Sequence, residues 1–323
     1  MKFLKNKNLL ITGGTGSFGN AAVKFLLKNT EINKLIIFSR DENKQFEMQN
    51  VYNSKKLRFF LGDVRDESRL DIALKDVDYV IHAAALKQVP AAEYNPFECI
   101  KTNIYGTQAL ILSAIKNGVK KIIGLSTDKA CNPINLYGAT KLCAEKLLIN
   151  ANQYSVPSKT NFSVVRYGNV IASRGSVVPY FKDLIIQGKK KLPLTHNEMT
   201  RFFISLNDAV TFVIESLKRQ SGGEIFIPKM PSIYIRDLIR IIDKNIGLFI
   251  TGVRNGEKIH EVLCSSDEAV NLYENRDYYT LYAPYHNKKI GKKVPKDFIY
   301  TSNSKKFLNF EKIKKIIIKN KIL

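Results

Sequence analysis

No apolar run in this 323-residue chain approaches the roughly 18 residues that a membrane-spanning helix requires, so no bilayer span is expected. Nor does the start read as a signal peptide. Met1 to Lys7 is basic, but the apolar residues after it lead into a glycine loop, and the expected compartment is the cytoplasm. Cysteine is scarce. Cys99, Cys131, Cys143 and Cys264 are scattered, with no C-x-x-C pair, which argues against a metal or a disulfide framework and for reduced thiols. No internal repeat and no low-complexity linker is present. Acidic residues are also few: 29 Asp and Glu stand against 51 Lys and Arg, a net charge of +22. That surplus suits an anionic nucleotide substrate or a general surface drift. The lysines are spread along the chain without an RNP or zinc-finger signature, so nucleic acid is not expected as a partner.

What remains is ordinary globular composition, 45% hydrophobic, in a chain long enough for two domains or one large unit with an extension. Asn8 to Thr12 is a short apolar strand that runs into Gly13-Gly14-Thr15-Gly16-Ser17-Phe18-Gly19. Gly14, Gly16 and Gly19 fit G-x-G-x-x-G, and the apolar spacing that follows suits a helix. Strand, glycine loop and helix together are the dinucleotide-binding context: glycines admit a pyrophosphate close to the backbone, and the helix N-terminus offers amides. Lys34 to Phe38 is a second strand, ending in Ser39-Arg40 where NAD-binding folds place an acid for the ribose. An arginine there accommodates a 2′-phosphate, with Lys44 assisting, so NADP is expected.

Further strands are read at 57–61, 78–82, 121–125 and 162–166, alternating with helical stretches, one of them over 98–116. This rhythm implies a doubly wound parallel sheet of Rossmann type, an α/β fold. Asp63, after the third strand, is placed for an adenine amino group, and Ala83, after the fourth, lets a cofactor lie against the backbone. His82 reads as a packed core residue. Lys87 stands at a strand end suited to substrate or phosphate, and Asn103 could support a water or the active-site lysine. From Ala172 the βα rhythm breaks. The expected division is a cofactor domain over 1–172 plus 205–230 and a smaller C-terminal substrate domain over 173–204 plus 231–323. Within the latter, Arg174, Arg201, Arg254, Glu257 and Lys258 include guanidinium groups suited to a diphosphate. Residues 270–310 read as irregular, and 311–323 as a docking amphipathic helix.

The densest chemistry lies in Ser126-Thr127-Asp128-Lys129, at the end of the 121–125 strand, and in Tyr137-x-x-x-Lys141. Positions 137 and 141 share one helix face. A phenol, two ammonium groups, a carboxyl and a hydroxyl at the carboxyl end of a parallel strand make a proton-transfer site.

The glycine loop with Tyr137-x-x-x-Lys141 resembles the extended short-chain dehydrogenase/reductases. More narrowly, Ser39 to Glu42, His82 to Lys87, Ser126 to Ala130, Asn132 to Lys141, Arg166 to Val170 and Met199 to Phe202 resemble the inverting UDP-N-acetylglucosamine 4,6-dehydratases. Retaining sugar dehydratases have Asp-Glu where this chain has Asp128-Lys129. Gln88 replaces a histidine common in the family, and Asn255 a proline. The resemblance implies a redox-neutral reaction on a UDP-sugar: hydride leaves C4, water leaves across C5 and C6, and hydride returns to C6 with C5 inverted. It implies that Tyr137 takes the C4 hydroxyl proton, that Thr127 hydrogen-bonds the C4 oxygen, and that Asp128 and Lys129 are the acid and base of the elimination. Lys141 would hold the nicotinamide ribose and lower the tyrosine pKa, and Lys129, to act as a base, should have a depressed pKa. Gly13, Thr15, Gly16, Ser17, Phe18, Gly19, Ser39, Arg40, Lys44, Asp63, Val64, Ala83, Tyr137 and Lys141 would hold NADP. Lys87, Asn169, Val177, Thr195, Arg201, Arg254 and Glu257 would face the UDP-sugar. The family forms homo-oligomers and opens pseudaminic acid synthesis for flagellin glycosylation. Two rivals stand beside this reading: a nucleotide-sugar 4-epimerase or 4-keto reductase, which needs Tyr137 and Lys141 but not Asp128 and Lys129, and a non-catalytic NADP-binding regulator with a basic surface.

Overall fold

A computed structural model describes residues 1–155, 159–171, 173 and 175–319. The strands β1 (Asn8–Thr12), β2 (Lys34–Ser39), β3 (Leu57–Leu61), β4 (Tyr79–His82), β5 (Lys121–Thr127) and β6 (Asn161–Tyr167) pair in parallel in the order 3-2-1-4-5-6. Helices cover both faces, so the central strands are almost continuously apolar rather than alternating. In register, Leu10 sits between Ile36 and Val80, and all three are buried. The connection reverses between β1 and β4, and a crevice opens there at the carboxyl ends of the strands, where open α/β sheets bind ligands.

The sheet does not stop at β6. Glu224–Pro228 continues it in parallel, and Tyr278–Tyr282, Leu272–Glu274 and Lys292–Lys293 follow antiparallel. Residues 270–310 are therefore not irregular as expected, and the 231–323 segment does not all belong to a second unit. Its Tyr-rich strands finish the main sheet. The expected boundary at Ala172 and the candidate Arg174 lie outside the described residues. A second apolar cluster gathers Val178, Phe181, Leu192, Phe203, Leu238 and Ile239 from both sides of the Glu224 strand. The helix Phe310–Lys319 packs Ile313 and Ile317 into that cluster. Among the described residues no helix is long and apolar enough to cross a membrane.

The helix expected over 98–116 is present and starts at Pro96, but its middle is a π turn over Lys101–Tyr105, between Pro96–Ile100 and Gly106–Lys116. The extra residue of a π turn re-aims a side chain, and here that side chain is Asn103. Its Oδ1 accepts from Leu86 N (2.8 Å), and its Nδ2 donates to Leu86 O (2.9 Å) and Thr140 Oγ1 (3.0 Å). Asn103 thus ties the segment after β4 to the helix Leu136–Tyr154, and both of its amide protons are spent on protein partners.

Candidate active site

The crevice is one cavity of about 930 Å³, running from the glycine loop to the end of β5. Its glycine end is shaped by backbone. Gly13 has φ +63°, and a Cβ on it would lie 2.8 Å from the Cα of Ala84, so this turn needs both the left-handed conformation and the missing side chain. Gly16 caps the N-terminus of the helix Ser17–Asn29 without using a side chain, leaving the first-turn amides to a ligand. Thr15, Gly16, Ser17, Phe18, Ser39, Arg40, Lys44, Val64 and Ala83 line the cavity with Gly13, and Gly19 does not. Asp63 is also absent from the lining, although Gly62 and Val64 are present. Its Oδ2 receives Arg65 Nη2 (2.7 Å) and Arg40 Nη1 (3.5 Å), and its Oδ1 receives Arg65 N (3.0 Å). Both carboxylate oxygens, expected to face an adenine amino group, are engaged by basic neighbours. His82 is a core residue, as read from the sequence. Its ring bridges Thr12 Oγ1 (2.7 Å) and Thr107 Oγ1 (3.1 Å), and burial, aided by the Lys141 charge, lowers its pKa to about 3, so it is neutral.

At the other end, Thr127, Asp128, Lys129, Tyr137, Lys141 and Asn169 face the same cavity, as does Lys87. The loop and the helix are fixed against each other by Asn135 and Gly138. Asn135 caps the helix, its Oδ1 accepting from Gly138 N (2.8 Å). A Cβ on Gly138 would come 2.2 Å from Lys129 O, so only glycine lets the helix carrying Tyr137 press this close to the loop carrying Lys129. Thr127 Oγ1 donates to Asp128 Oδ1 (3.0 Å).

The electrostatics depart from expectation at two groups. Lys129 is not depressed. Burial pushes its pKa down, but Asp128 and Glu261 together push it well above the ordinary lysine value. Lys129 Nζ lies 3.0 Å from Asp128 Oδ1 and 3.2 Å from Glu261 Oε1. Tyr137 is not lowered either: burial pushes it up to about 12, and the charge chiefly opposing this is Lys129 rather than Lys141. Lys141 is the depressed lysine, held at about 8 by burial. Asp128 is fully buried and its pKa is raised, burial being the leading cause, with Lys129 opposing and Glu261 adding to it.

The expected substrate residues divide. Lys87 and Asn169 line the cavity, and Val177 follows Ser176, which also lines it. Thr195, Arg201, Arg254 and Glu257 are not in the lining. Thr195 Oγ1 donates to Met199 Sδ (3.0 Å). The Arg201 guanidinium is spent on the protein itself, donating to the carbonyls of Thr200, Lys258 and Ile259, with Glu257 at 3.4 Å and Glu261 at 3.6 Å. Glu261 was not foreseen. It lies 132 positions from Lys129, and its only sequence signal is an acid set in the apolar run Ile259 to Cys264.

The chain's similarities run along its length. The family model described as polysaccharide biosynthesis protein matches residues 9–283. A Campylobacter jejuni protein named UDP-N-acetylglucosamine 4,6-dehydratase (inverting) is 58% identical over 275 residues, 85% of this chain and 82% of the relative. A Rickettsia conorii protein named UDP-glucose 4-epimerase is 44% identical over 328 residues, 97% of this chain and 96% of the relative. The X-ray structure of Pen from Bacillus thuringiensis superposes with a TM-score of 0.93 at 37% identity, covering 99% of this chain and 100% of that one.

Proposed function

The chain belongs to the polysaccharide biosynthesis protein family of extended short-chain dehydrogenase/reductases, and from that premise we propose that it dehydrates UDP-N-acetylglucosamine across C4 to C6 with inversion at C5. The product is UDP-2-acetamido-2,6-dideoxy-β-L-arabino-hex-4-ulose, the first intermediate of pseudaminic acid synthesis for flagellin or a surface glycan. The observation that carries the reading is the Asp128–Lys129 pair, its carboxylate buried and its ammonium partly so, opening onto the same cavity as Tyr137 and Lys141. A nicotinamide dinucleotide fits the cradle left by Gly13 and the uncapped helix at Gly16, and when bound it supplies hydride acceptance from C4 and return to C6. We assign it as NADP, because Ser39 and Arg40 stand at the end of β2 and Asp41 is engaged by Lys44. Arg40→Asp is expected to weaken NADP binding more than NAD binding in titrations of the two. Equal weakening would remove the assignment.

Tyr137 takes the C4 hydroxyl proton, and Lys141 holds the ribose beside it. Once C4 is a ketone, the C5 proton becomes acidic. The elimination then needs an acid at the C6 hydroxyl and a base at C5. One internal transfer makes both. A proton passing the 3.0 Å from Lys129 Nζ to Asp128 Oδ1 leaves a neutral carboxylic acid and a neutral amine. Burial favours that neutral pair over the ion pair. Asp128 then protonates the departing hydroxyl, Lys129 takes the C5 proton, and the original ion pair is restored. The lysine thus becomes a base through its partner, despite its raised pKa.

The similarity to a protein named UDP-glucose 4-epimerase keeps a second reading in view. An epimerase returns hydride to C4 and has no use for Asp128 and Lys129. Incubating the enzyme with UDP-N-acetylglucosamine in deuterium oxide separates the two. Dehydration yields a product one water lighter, with deuterium at C5 and inverted configuration there. A C4 epimer with C5 unlabelled would overturn the proposal.

A further inference from the structure

Glu261 is a buried charge that the reaction above leaves without a task. It is 2% exposed, does not line the cavity, and meets the site only through Lys129. Its Oε1 lies 3.2 Å from Lys129 Nζ and 3.6 Å from Arg201 Nε. Among the described residues its Oε2 has no hydrogen-bond partner, and neither has Asp128 Oδ2. Its position is set from elsewhere: Glu261 N donates to Ser302 Oγ (2.9 Å), and Ser302 N donates back to Glu261 O (2.9 Å).

We propose that Glu261 is a positioning residue that sets how many protons the Asp128–Lys129 pair holds, and with that the pH range in which the elimination runs. The inference rests on the dehydration reading for its consequence, though not for its geometry. The charges facing this cluster are few: Lys129 and Asp128 on the loop after β5, Arg201 on the strand Thr200–Ile204, Lys258 three residues before Glu261, and the Tyr137 phenol on the helix. Arg201 is shared with Glu257. That leaves Glu261 as a second carboxylate on Lys129, 3.2 Å from its Nζ against 3.0 Å for Asp128, so the fully buried Asp128 shares Lys129 with it.

The pair works only with one proton between its two members. With two, Lys129 is no base; with none, Asp128 is no acid. A negative charge at Glu261 favours the protonated form of both members, in line with the direction found at each. It therefore guards the pair against losing its last proton and places the acid edge of the working range at a higher pH than Asp128 and Lys129 would show alone. Neutralising Glu261 moves that edge toward acid.

The test is an infrared titration of the purified protein, with the protonated Asp128 carboxyl identified by the band that Asp128→Asn removes. In Glu261→Gln the midpoint is expected to fall by about 1–3 pH units, the usual effect of one charge at 4–6 Å. Glu261→Asp, which keeps the charge, should stay near the parent. The acid limb of C5 deuterium incorporation should move with the midpoint while the KM for the UDP-sugar is unchanged. A midpoint that does not move in a Glu261→Gln protein of parental melting temperature overturns the inference, as does Glu261→Asp behaving like Glu261→Gln. A midpoint that moves in an enzyme that never dehydrates supports the inference and sinks the dehydration reading instead.

Discussion

Two lysines stand within one site, Lys141 buried and Lys129 partly so, and their surroundings send them in opposite directions. Lys141 sits on a helix with Glu145 one turn away, yet its pKa is depressed to about 8. Lys129 sits on a loop between Asp128 and Glu261, and its pKa is raised. Burial acts on both alike. The difference is whether the nearby carboxylate is free to act. Glu145 is claimed by the fully buried Arg166, whose Nε and Nη2 donate to its two oxygens at 3.0 and 2.6 Å. Arg166 also holds Glu268 (2.8 and 2.9 Å) and donates to Leu263 O. Arg166 lies on β6, so the sheet itself withholds an anion from Lys141, while the loop after β5 supplies Asp128 to Lys129 and the distant Glu261 adds a second carboxylate. One cavity therefore holds one lysine poised near neutrality for the cofactor end and one held charged until its partner takes the proton.

Removing each side of that contrast should have graded consequences. The largest is expected for Lys129→Ala. The elimination loses its base, and C5 deuterium incorporation should fall by about 10²–10⁴-fold while NADP affinity is kept. Undiminished incorporation would end the role given to Lys129. Next comes Arg166→Met, which strips Glu145 and Glu268 of their shared cation in a dry interior. Leaving buried carboxylates unpaired costs about 3–5 kcal/mol, to be read from denaturant unfolding at pH 7. The loss should shrink as pH falls and the two carboxyls become protonated. A variant as stable as the parent would mean that the network is not what holds β6 to the helix Leu136–Tyr154.

How much of this contrast could be read beforehand follows the range of the interactions. The glycine loop, the Tyr137-x-x-x-Lys141 face and the strands β1 to β6 depend on neighbours within a few residues, so spacing and apolar runs reveal them. The depressed lysine was placed at Lys129 rather than at Lys141, because spacing does not say which of the two is buried without a free carboxylate. Lys129 was misread because Asp128 beside it, and then Glu261, outweigh burial; Glu261 is brought in by a link to Ser302 that no local pattern announces. Arg201 was misread for a related reason. A guanidinium suits a diphosphate, but here three carbonyls and two carboxylates reach it first. The strand Tyr278–Tyr282 escaped because a sheet's antiparallel extension carries hydroxyls and ring edges where the parallel core has plain aliphatics. The helix over 98–116 was read, but not the five-residue π turn inside it at Asn103, which serves the distant Leu86.

The smallest of the expected effects is also the one that isolates burial from partners. Lys141→Met removes a charge whose nearest anion is already engaged, so what it removes is mainly a desolvation cost. The unfolded chain keeps the lysine proton up to about pH 10.5, whereas the folded protein keeps it only to about 8. Below pH 8 every folded molecule therefore carries a buried ammonium at a constant cost. From pH 8 to 10.5 that cost declines, because the folded form sheds the proton first. Lys141→Met should thus lose turnover but gain stability at pH 7, by up to about 3 kcal/mol from a shift of roughly 2.5 pH units. The gain should fade between pH 8 and 10.5. The same substitution at Lys129 should destabilise instead, since the buried Asp128 would lose its ion-pair partner while facing Glu261, which keeps only the more distant Arg201. Urea unfolding of both variants at pH 7 and pH 10 decides the matter. If Lys141→Met is no more stable than the parent at pH 7, or if its advantage persists unchanged at pH 10, the two lysines do not differ in the way their surroundings require.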